Sequence, residues 1–318
     1  MVSTPSLGLV SAETVEILIL MDNYSDNLLP SGSVATRPRL APGGEIPATT
    51  LLAEHGLSLL ITARGATAQT RFLLDAGYTD KGVPHNLDLL GVDLADLEAV
   101  VLSHGHMDHY GSLAAVLERA SPSVPVVMHP AVLEGSRYLD RPGQERARFP
   151  RLSRELVASL GERLLLTSEP YLGSGRLWGT TGEVARETPF EKGLPGALRE
   201  RDGQLVPDLM EDDLAVVLHL AGKGLVVISG CAHAGIVNTV HCAQRLTGVD
   251  EVYAVLGGFH LGGPAFADAL GPTVDALRDL HPEVLVPMHC TGHAATYRLA
   301  EAFGEAFVLS SVGTTLHL

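Results

Sequence analysis

The amino-acid sequence predicts an α/β fold, and three observations indicate it. Short apolar runs, such as residues 15–21 and 284–288, alternate with stretches of helical apolar spacing, such as 113–120 and 236–246. Several of the apolar runs end directly in polar segments that contain histidine. The 318 residues are 46% hydrophobic and 19% charged, which is ordinary for a globular protein and allows a sizeable core.

The first half of the chain contains five predicted strands. Each is a short run dominated by apolar residues. The first ends at Asp22 and Asn23, which either have a role shared with similar pairs in related proteins or form a turn whose side chains bond nearby backbone. The predicted strands cover residues 15–21, 57–61, 71–77, 99–102 and 124–128. Helical spacing predicts one helix that begins near His85 and ends before Gly91, and a second at 113–120.

The second half repeats this alternation. Residues 214–220 and 224–229 predict a hairpin, and a helix follows at 236–246. Two further strands are predicted at 251–256 and 284–288.

Residues 131–205 form the least regular stretch. They are rich in arginine, glycine and proline and contain few apolar runs. We interpret them as an insertion that contacts substrate, within a single domain spanning residues 1–318. Arg186 is either a clamp for a phosphate or carboxylate or a surface arginine, and Trp178 either stacks on a ring substrate or packs in the core.

Composition narrows the classes of partner. The chain has 22 basic and 37 acidic residues, a formal charge of −15, so no overall basic field attracts nucleic acid or anionic lipid. Cys231, Cys242 and Cys290 cannot all pair, which favours a reducing compartment. The apolar runs are shorter than the ~20 residues of a membrane span, and the first residues lack a basic signal region. We predict a cytoplasmic protein that binds neither nucleic acid nor membrane.

One short segment concentrates groups that bind metal ions. His104, His106, Asp108 and His109 directly follow the fourth predicted strand. At a strand end that enters a tight turn, with Gly105 freeing the backbone, alternate side chains converge. Imidazole nitrogens suit zinc, iron or nickel, and the carboxylate can hold a second ion or orient a water molecule. The segment therefore predicts a metal site.

Three further histidines follow strands in the second half of the chain. His233, His260 and His289 each stand just past an apolar run, and we expect them to be site residues. Asp75 ends the third predicted strand and is expected to hydrogen-bond a metal-binding histidine rather than the ion. His55 is either a turn histidine or lines the site. The remaining candidates are expected to be structural: His129, His219, His241, His281, His293 and His317.

The chain resembles the metallo-β-lactamase superfamily. Residues 102–109, Leu-Ser-His-Gly-His-Met-Asp-His, are similar to its HxHxDH signature. Other segments resemble the subgroup named for 7,8-dihydropterin-6-methyl-4-(β-D-ribofuranosyl)aminobenzene 5′-phosphate synthase: 54–58, 230–236, 257–261 and 289–292. The resemblance covers most of the chain and is weakest between Arg137 and Leu205. It implies an αββα sandwich, with two mixed sheets and helices on the outer faces.

The resemblance also implies two divalent transition-metal ions, with zinc expected and iron or manganese as alternatives. The expected ligands are His104, His106 and His233 for one ion and Asp108, His109 and His289 for the other, with His260 next in line. Many members of the superfamily place a bridging aspartate or a cysteine on a strand end. Here the comparable segment holds Cys231, which is either a soft ligand or a small buried apolar residue.

The implied chemistry is hydrolysis by a metal-bound hydroxide. Asp108 is expected to orient this nucleophile or to shuttle its proton. The expected substrate is a small and anionic molecule, either a phosphoester, phosphodiester or lactone, or a pterin and phosphoribose skeleton in a synthase-like reaction. A metal-containing binding or sensing protein without turnover is the alternative. The sequence contains no nucleophile elbow and no phosphate-binding glycine loop that would indicate other chemistry.

Overall fold

The structure, a computed structural model, describes residues 7–318. Its strands are β1 (Thr14–Met21), β2 (Ala35–Thr36), β3 (Ser58–Arg64), β4 (Gln69–Leu74), β5 (Ala99–Val101), β6 (Val126–Met128), β7 (Arg137–Leu139), β8 (Ala147–Arg148), β9 (Leu164–Leu166), β10 (Trp178–Thr180), β11 (Ala197–Arg201), β12 (Gln204–Pro207), β13 (Ala215–Leu220), β14 (Gly224–Ser229), β15 (Val252–Gly258), β16 (Val284–Met288) and β17 (Thr315–His317). Its α-helices are α1 (Gly82–Leu90), α2 (Leu113–Arg119), α3 (Arg154–Leu160), α4 (Ile236–Thr247), α5 (Ala267–Asp279) and α6 (His293–Phe303).

Two mixed sheets form the centre of the fold. The first has the strand order β2-β17-β1-β3-β4-β5-β6-β9, with antiparallel pairs as far as β4 and parallel pairs beyond it. The second has the order β10-β13-β14-β15-β16, antiparallel as far as β14 and parallel beyond it. Parallel neighbours end at the same edge of a sheet, so the segments after β14, β15 and β16 emerge together.

The two sheets pack face to face through apolar side chains. Ile17, Phe72 and Val101 of the first sheet share one buried cluster with Val216 and Leu256 of the second. Helices α1, α2 and α3 cover the outer face of the first sheet, and α4, α5 and α6 cover that of the second. The predicted αββα sandwich is therefore confirmed.

Most predicted elements occur near their expected bounds, but the helices α3, α5 and α6 were not predicted. Helix α5 contains Gly271 and Pro272, two poor helix formers, and is held to the sheet by the buried side chains of Val274 and Leu277. Tertiary packing thus overrides weak local propensity. Within residues 7–318, no helix is long and apolar enough to cross a membrane.

Residues 131–205 contribute to three sheets. Strands β9 and β10 extend the two main sheets, whereas β7, β8 and β11 join β12 in a separate four-stranded sheet. Trp178 in β10 is fully buried and stacks on Phe72, with 4.1 Å between the ring centroids. Trp178 is therefore a core residue. The single domain and the contact of this region with substrate stay predictions.

Candidate metal centre

The predicted ligands meet at one edge of the sandwich, just past the ends of strands. Residues 103–109 follow β5 of the first sheet, and residues 107–109 form a 3₁₀ turn. From the second sheet, His233 follows β14, His260 follows β15 and His289 follows β16. Overlapping groups of potential ligand atoms join these segments into one cluster.

His104, His106 and His233 form the first ligand group. Nε2 of His104 lies 3.1 Å from Nδ1 of His106 and 3.2 Å from Nε2 of His233. All three side chains are buried, and the ring of His106 stacks on Phe149 with 4.4 Å between centroids. Three ring nitrogens that converge on one point suit a metal ion with three protein ligands.

Asp108 is the centre of the second ligand group. Its Oδ2 lies 3.2 Å from Nε2 of His289 and 3.8 Å from Nε2 of His109. His55 places its Nε2 3.6 Å from the same oxygen, and its ring lies 4.8 Å from that of His289 between centroids. Of the two alternatives for His55, the structure therefore favours the one in which it lines the site.

Cys231 lies beside both groups, and His260 lies beside the first. Sγ of Cys231 is 3.2 Å from Nε2 of His109, and the ring of His260 is 4.2 Å from that of His233 between centroids. Cys231 also shares a group of potential ligand atoms, all within 4.8 Å of one another, with His233 and His260. The buried thiol is thus placed where it can serve as a ligand, and His260 stands nearer the first group than the second.

Burial determines the protonation of the first group. It lowers the pKa of His104 and His233 well below 6.5 and that of His106 to about 3. These rings are therefore neutral at pH 7, and neutral imidazole is the form that binds a metal ion. Burial acts to raise the pKa of the Asp108 carboxyl, but His109 and His289 hold that pKa well below its ordinary value. Asp108 is therefore an anion.

A buried carboxylate orients His109. Oδ2 of Asp75 lies 2.6 Å from Nδ1 of His109, and the two Asp75 oxygens accept hydrogen bonds from N–H and Oγ–H of Ser103, each at 2.7 Å. Burial would lower the pKa of His109, but Asp75 and Asp108 raise it to about 9. The contact expected between Asp75 and a site histidine is thus present. An ion at Nε2 would displace the proton held there.

Asn23 is a site residue that the sequence did not place among the predicted site residues. Its Oδ1 lies 3.0 Å from Nδ1 of His289, and its Nδ2 lies 3.0 Å from Nδ1 of His55. Oδ1 of Asp22 accepts a hydrogen bond from the backbone N–H of His289 at 2.8 Å. The expectation that this pair serves nearby backbone is therefore incomplete. The sequence signal for Asn23 was its position just past the end of a buried strand, because the predicted ligands occupy the same kind of position.

Two other candidates have structural roles. Nδ1 of His129 accepts a hydrogen bond from the N–H of Ala131 at 3.1 Å and so caps the short turn after β6. Nη2 of Arg186 donates to the carbonyl oxygens of His233, at 3.3 Å, and Leu209. The guanidinium of Arg186 thus joins two backbone segments, and this contact does not support a role as an anion clamp.

The side chains present fit divalent transition-metal ions. The buried Nε2 of His289 and Nδ1 of His260 lack well-aligned hydrogen-bond partners among the described residues. Neutral imidazoles, a carboxylate and a thiol are the ligand types that zinc and iron prefer. The number and identity of the ions stay predictions.

Two relatives are similar to this chain over most of their length. It is 30% identical over 257 residues to the 7,8-dihydropterin-6-methyl-4-(beta-D-ribofuranosyl)-aminobenzene-5'-phosphate synthase of Methanocaldococcus jannaschii, which covers 80% of this chain and 86% of that protein. It is 31% identical over 263 residues to an uncharacterized protein of the same organism, with 82% and 92% coverage.

A solved structure and a family profile also match this chain. Tm1679, which is described as a metal-dependent hydrolase of the beta-lactamase superfamily, superposes with a TM-score of 0.69 at 24% identity, over 96% of this chain and 98% of that one. This likeness shows the fold. The profile of the metallo-beta-lactamase superfamily matches residues 53–289, more than half of the chain. The chain therefore belongs to the metallo-beta-lactamase superfamily.

Proposed function

We propose that this protein is a metal-dependent hydrolase of a small anionic phosphoester, phosphodiester or lactone. The observation that carries the proposal is the convergence of three neutral imidazoles, from His104, His106 and His233, beside the anionic carboxylate of Asp108. Such a constellation holds a metal ion while leaving room for water and substrate.

The residues of the cluster would bind metal ions or orient water. His104, His106 and His233 would hold one divalent ion, and Asp108, His109 and His289 would hold a second. When bound, such ions lower the pKa of water and polarise the oxygen of the bond that is cleaved. The Oδ2 atom of Asp108 would orient the attacking water by accepting its hydrogen bond.

His55 faces the Asp108 carboxylate at the exposed side of the cluster. Its Nε2 lies 3.6 Å from Oδ2 of Asp108, and 60% of its side chain is exposed. Burial of the rest of the ring and the neighbouring His289 lower the pKa of His55, so the ring is neutral at pH 7. Because Nδ2 of Asn23 donates to Nδ1 of His55, the neutral ring carries its proton on Nε2 and would direct that N–H toward the Asp108 carboxylate.

The cluster opens onto space for a small molecule. A cavity of about 280 Å³ beside His233 and a groove of about 1080 Å³ share a wall that includes His260 and Phe266. Lys192 lines the cavity and Arg141 lines the groove. An aromatic wall flanked by cations is suited to a substrate with a ring and an anionic group.

A substrate panel tests the proposal. Protein produced with zinc, iron and manganese available is expected to contain about two transition-metal ions per chain and to hydrolyse bis(p-nitrophenyl) phosphate or a related ester or lactone. Elemental analysis and initial rates provide the measurements. Complete absence of bound metal would contradict the metalloenzyme, whereas metal without turnover, together with a metabolite that raises Tm, would favour the sensing alternative.

Replacement of Arg141 is expected to raise KM for anionic substrates. Arg146 pairs with Asp140 at 2.6 Å, whereas no carboxylate of the described chain pairs with Arg141. Arg141→Gln should raise KM for a phosphoester about tenfold, with kcat nearly unchanged, because the lost contact is made equally in ground and transition states.

The matched control for this measurement is Arg119→Gln. The guanidinium of Arg119 pairs with Asp88 on the helical layer of the first sheet. Equal KM values for Arg141→Gln and the wild type would show that the groove does not bind the anionic group.

A synthase-like reaction on a pterin and phosphoribose skeleton is the second candidate. The 30% identity to the M. jannaschii synthase over 80% of this chain favours it. Product analysis by mass spectrometry separates the two candidates, since turnover of that skeleton without ester hydrolysis supports the synthase. The cytoplasmic location stays a prediction from composition, as does the expectation that neither nucleic acid nor membrane is a partner.

A further inference from the structure

The buried carboxylate of Asp212 contacts the backbone between two predicted ligands. Its Oδ2 accepts a hydrogen bond from the N–H of Gly105, which separates His104 from His106, at 2.8 Å. Its Oδ1 accepts a hydrogen bond from Nη2 of Arg137 at 2.5 Å. The loop that carries two histidines of the first group is therefore bonded to a charged and fully buried anchor.

The next residue in the chain makes the corresponding contact with the third histidine. Oδ2 of Asp213 accepts a hydrogen bond from the N–H of Ala234, directly after His233, at 2.8 Å. The following N–H, that of Leu214, donates to the carbonyl oxygen of Ser103 at 3.0 Å. Three consecutive residues thus bond two segments that emerge from different sheets.

The first ligand group needs such anchors because its nitrogens crowd one another. Nε2 of His104 has ring nitrogens of His106 and His233 at 3.1 Å and 3.2 Å. A neutral imidazole donates only one N–H, so three converging nitrogens cannot all satisfy one another. Holding them together costs free energy that the surrounding bonds have to offset.

We infer that Asp212 and Asp213 are positioning residues that hold the first ligand group in its metal-binding arrangement before an ion arrives. Ligands that are already ordered bind an ion more tightly, because the cost of ordering them is met when the protein folds. The inference rests on the metal-binding part of the proposed function, but not on the reaction.

Asp208 is a matched control within the same charge network. Its carboxylate is also buried and pairs with Arg137 at 3.3 Å and Arg199 at 2.9 Å. The backbone group that it accepts from is the N–H of Met210, at 3.0 Å, which lies outside the ligand segments. Asp208→Ala therefore perturbs the same arginine network as Asp212→Ala without removing a bond to the ligand loops.

The test measures zinc affinity and amide hydrogen exchange rather than turnover. Asp212→Ala is expected to weaken zinc binding by about 10–100-fold in chelator competition. In the metal-free protein it should also speed exchange of the Gly105 amide. Asp208→Ala is expected to lower Tm by a similar amount while keeping wild-type zinc affinity and wild-type exchange at Gly105.

Asp213 offers a second test because it forms no ion pair among the described residues. Asp213→Ala should speed exchange of the Ala234 amide and weaken zinc binding, whereas Asp213→Asn keeps a carbonyl oxygen and should restore both. Wild-type affinity in folded Asp212→Ala and Asp213→Ala would overturn the inference, as would an equal loss in Asp208→Ala. If the wild type binds no zinc, iron or manganese, the proposed function fails, and amide exchange still shows whether the two aspartates hold the loops.

Discussion

His106→Ala is expected to reduce turnover by about 10³-fold or more while the protein stays folded. The variant removes one of three nitrogens that meet 3.1–3.2 Å apart, and several kcal/mol of transition-state stabilisation depend on the ion they would hold. The lost stacking on Phe149 lies at the edge of the sandwich, so we expect destabilisation of only about 1–3 kcal/mol. Initial rates, elemental analysis and thermal unfolding followed by circular dichroism measure the three quantities.

His293→Ala is the control for His106→Ala. His293 is exposed at the start of α6, only four residues after His289, so its loss should change neither metal content nor rate. Unchanged turnover in His106→Ala would refute the assignment of the first ligand group.

Asp75→Ala is expected to have the largest effect on stability. The Asp75 carboxylate is fully buried, accepts two hydrogen bonds from Ser103 and lies 2.6 Å from Nδ1 of His109. Its removal leaves the buried His109 ring without the carboxylate that favours its protonated form and leaves two unpaired donors, which should lower the free energy of unfolding by about 3–5 kcal/mol. Denaturant unfolding of the metal-free protein measures this change, and zinc affinity should fall by about 10–100-fold.

Asp75→Asn separates the charge from the shape of this side chain. Asp75 has a left-handed backbone with φ 61°, which asparagine tolerates better than most residues do. The variant should keep the backbone conformation and lose the attraction for His109, so its stability should lie between those of Asp75→Ala and the wild type. If Asp75→Asn were as stable as the wild type, the charge on Asp75 would contribute nothing.

The fold could be predicted in outline because its signals are local. Apolar runs such as 284–288 match the observed strand, and the hairpin of β13 and β14 has the expected antiparallel pairing. The helix α5 was missed because Gly271 and Pro272 weaken its local signal. The small sheet formed by β7, β8, β11 and β12 was missed for a related reason, since its short and polar strands carry almost no apolar alternation.

The sequence by itself determined which groups can do chemistry at this site. The ligand types, their position just past strand ends and the likeness of residues 102–109 to a known signature are all properties of short segments. The parallel order of β14, β15 and β16 then brings three distant histidines to one edge.

Only the tertiary structure decided how those groups are held. It brought His233 next to His104 and Asn23 next to His289. It also brought the carboxylates of residues 212 and 213 into hydrogen bonds with the two ligand loops. The hydrogen bond from Gly105 to Asp212 joins residues 107 positions apart in the chain, so no local pattern could indicate it. Side-chain chemistry is local, whereas the hydrogen bonds that orient it depend on which segments the packed sheets bring into contact.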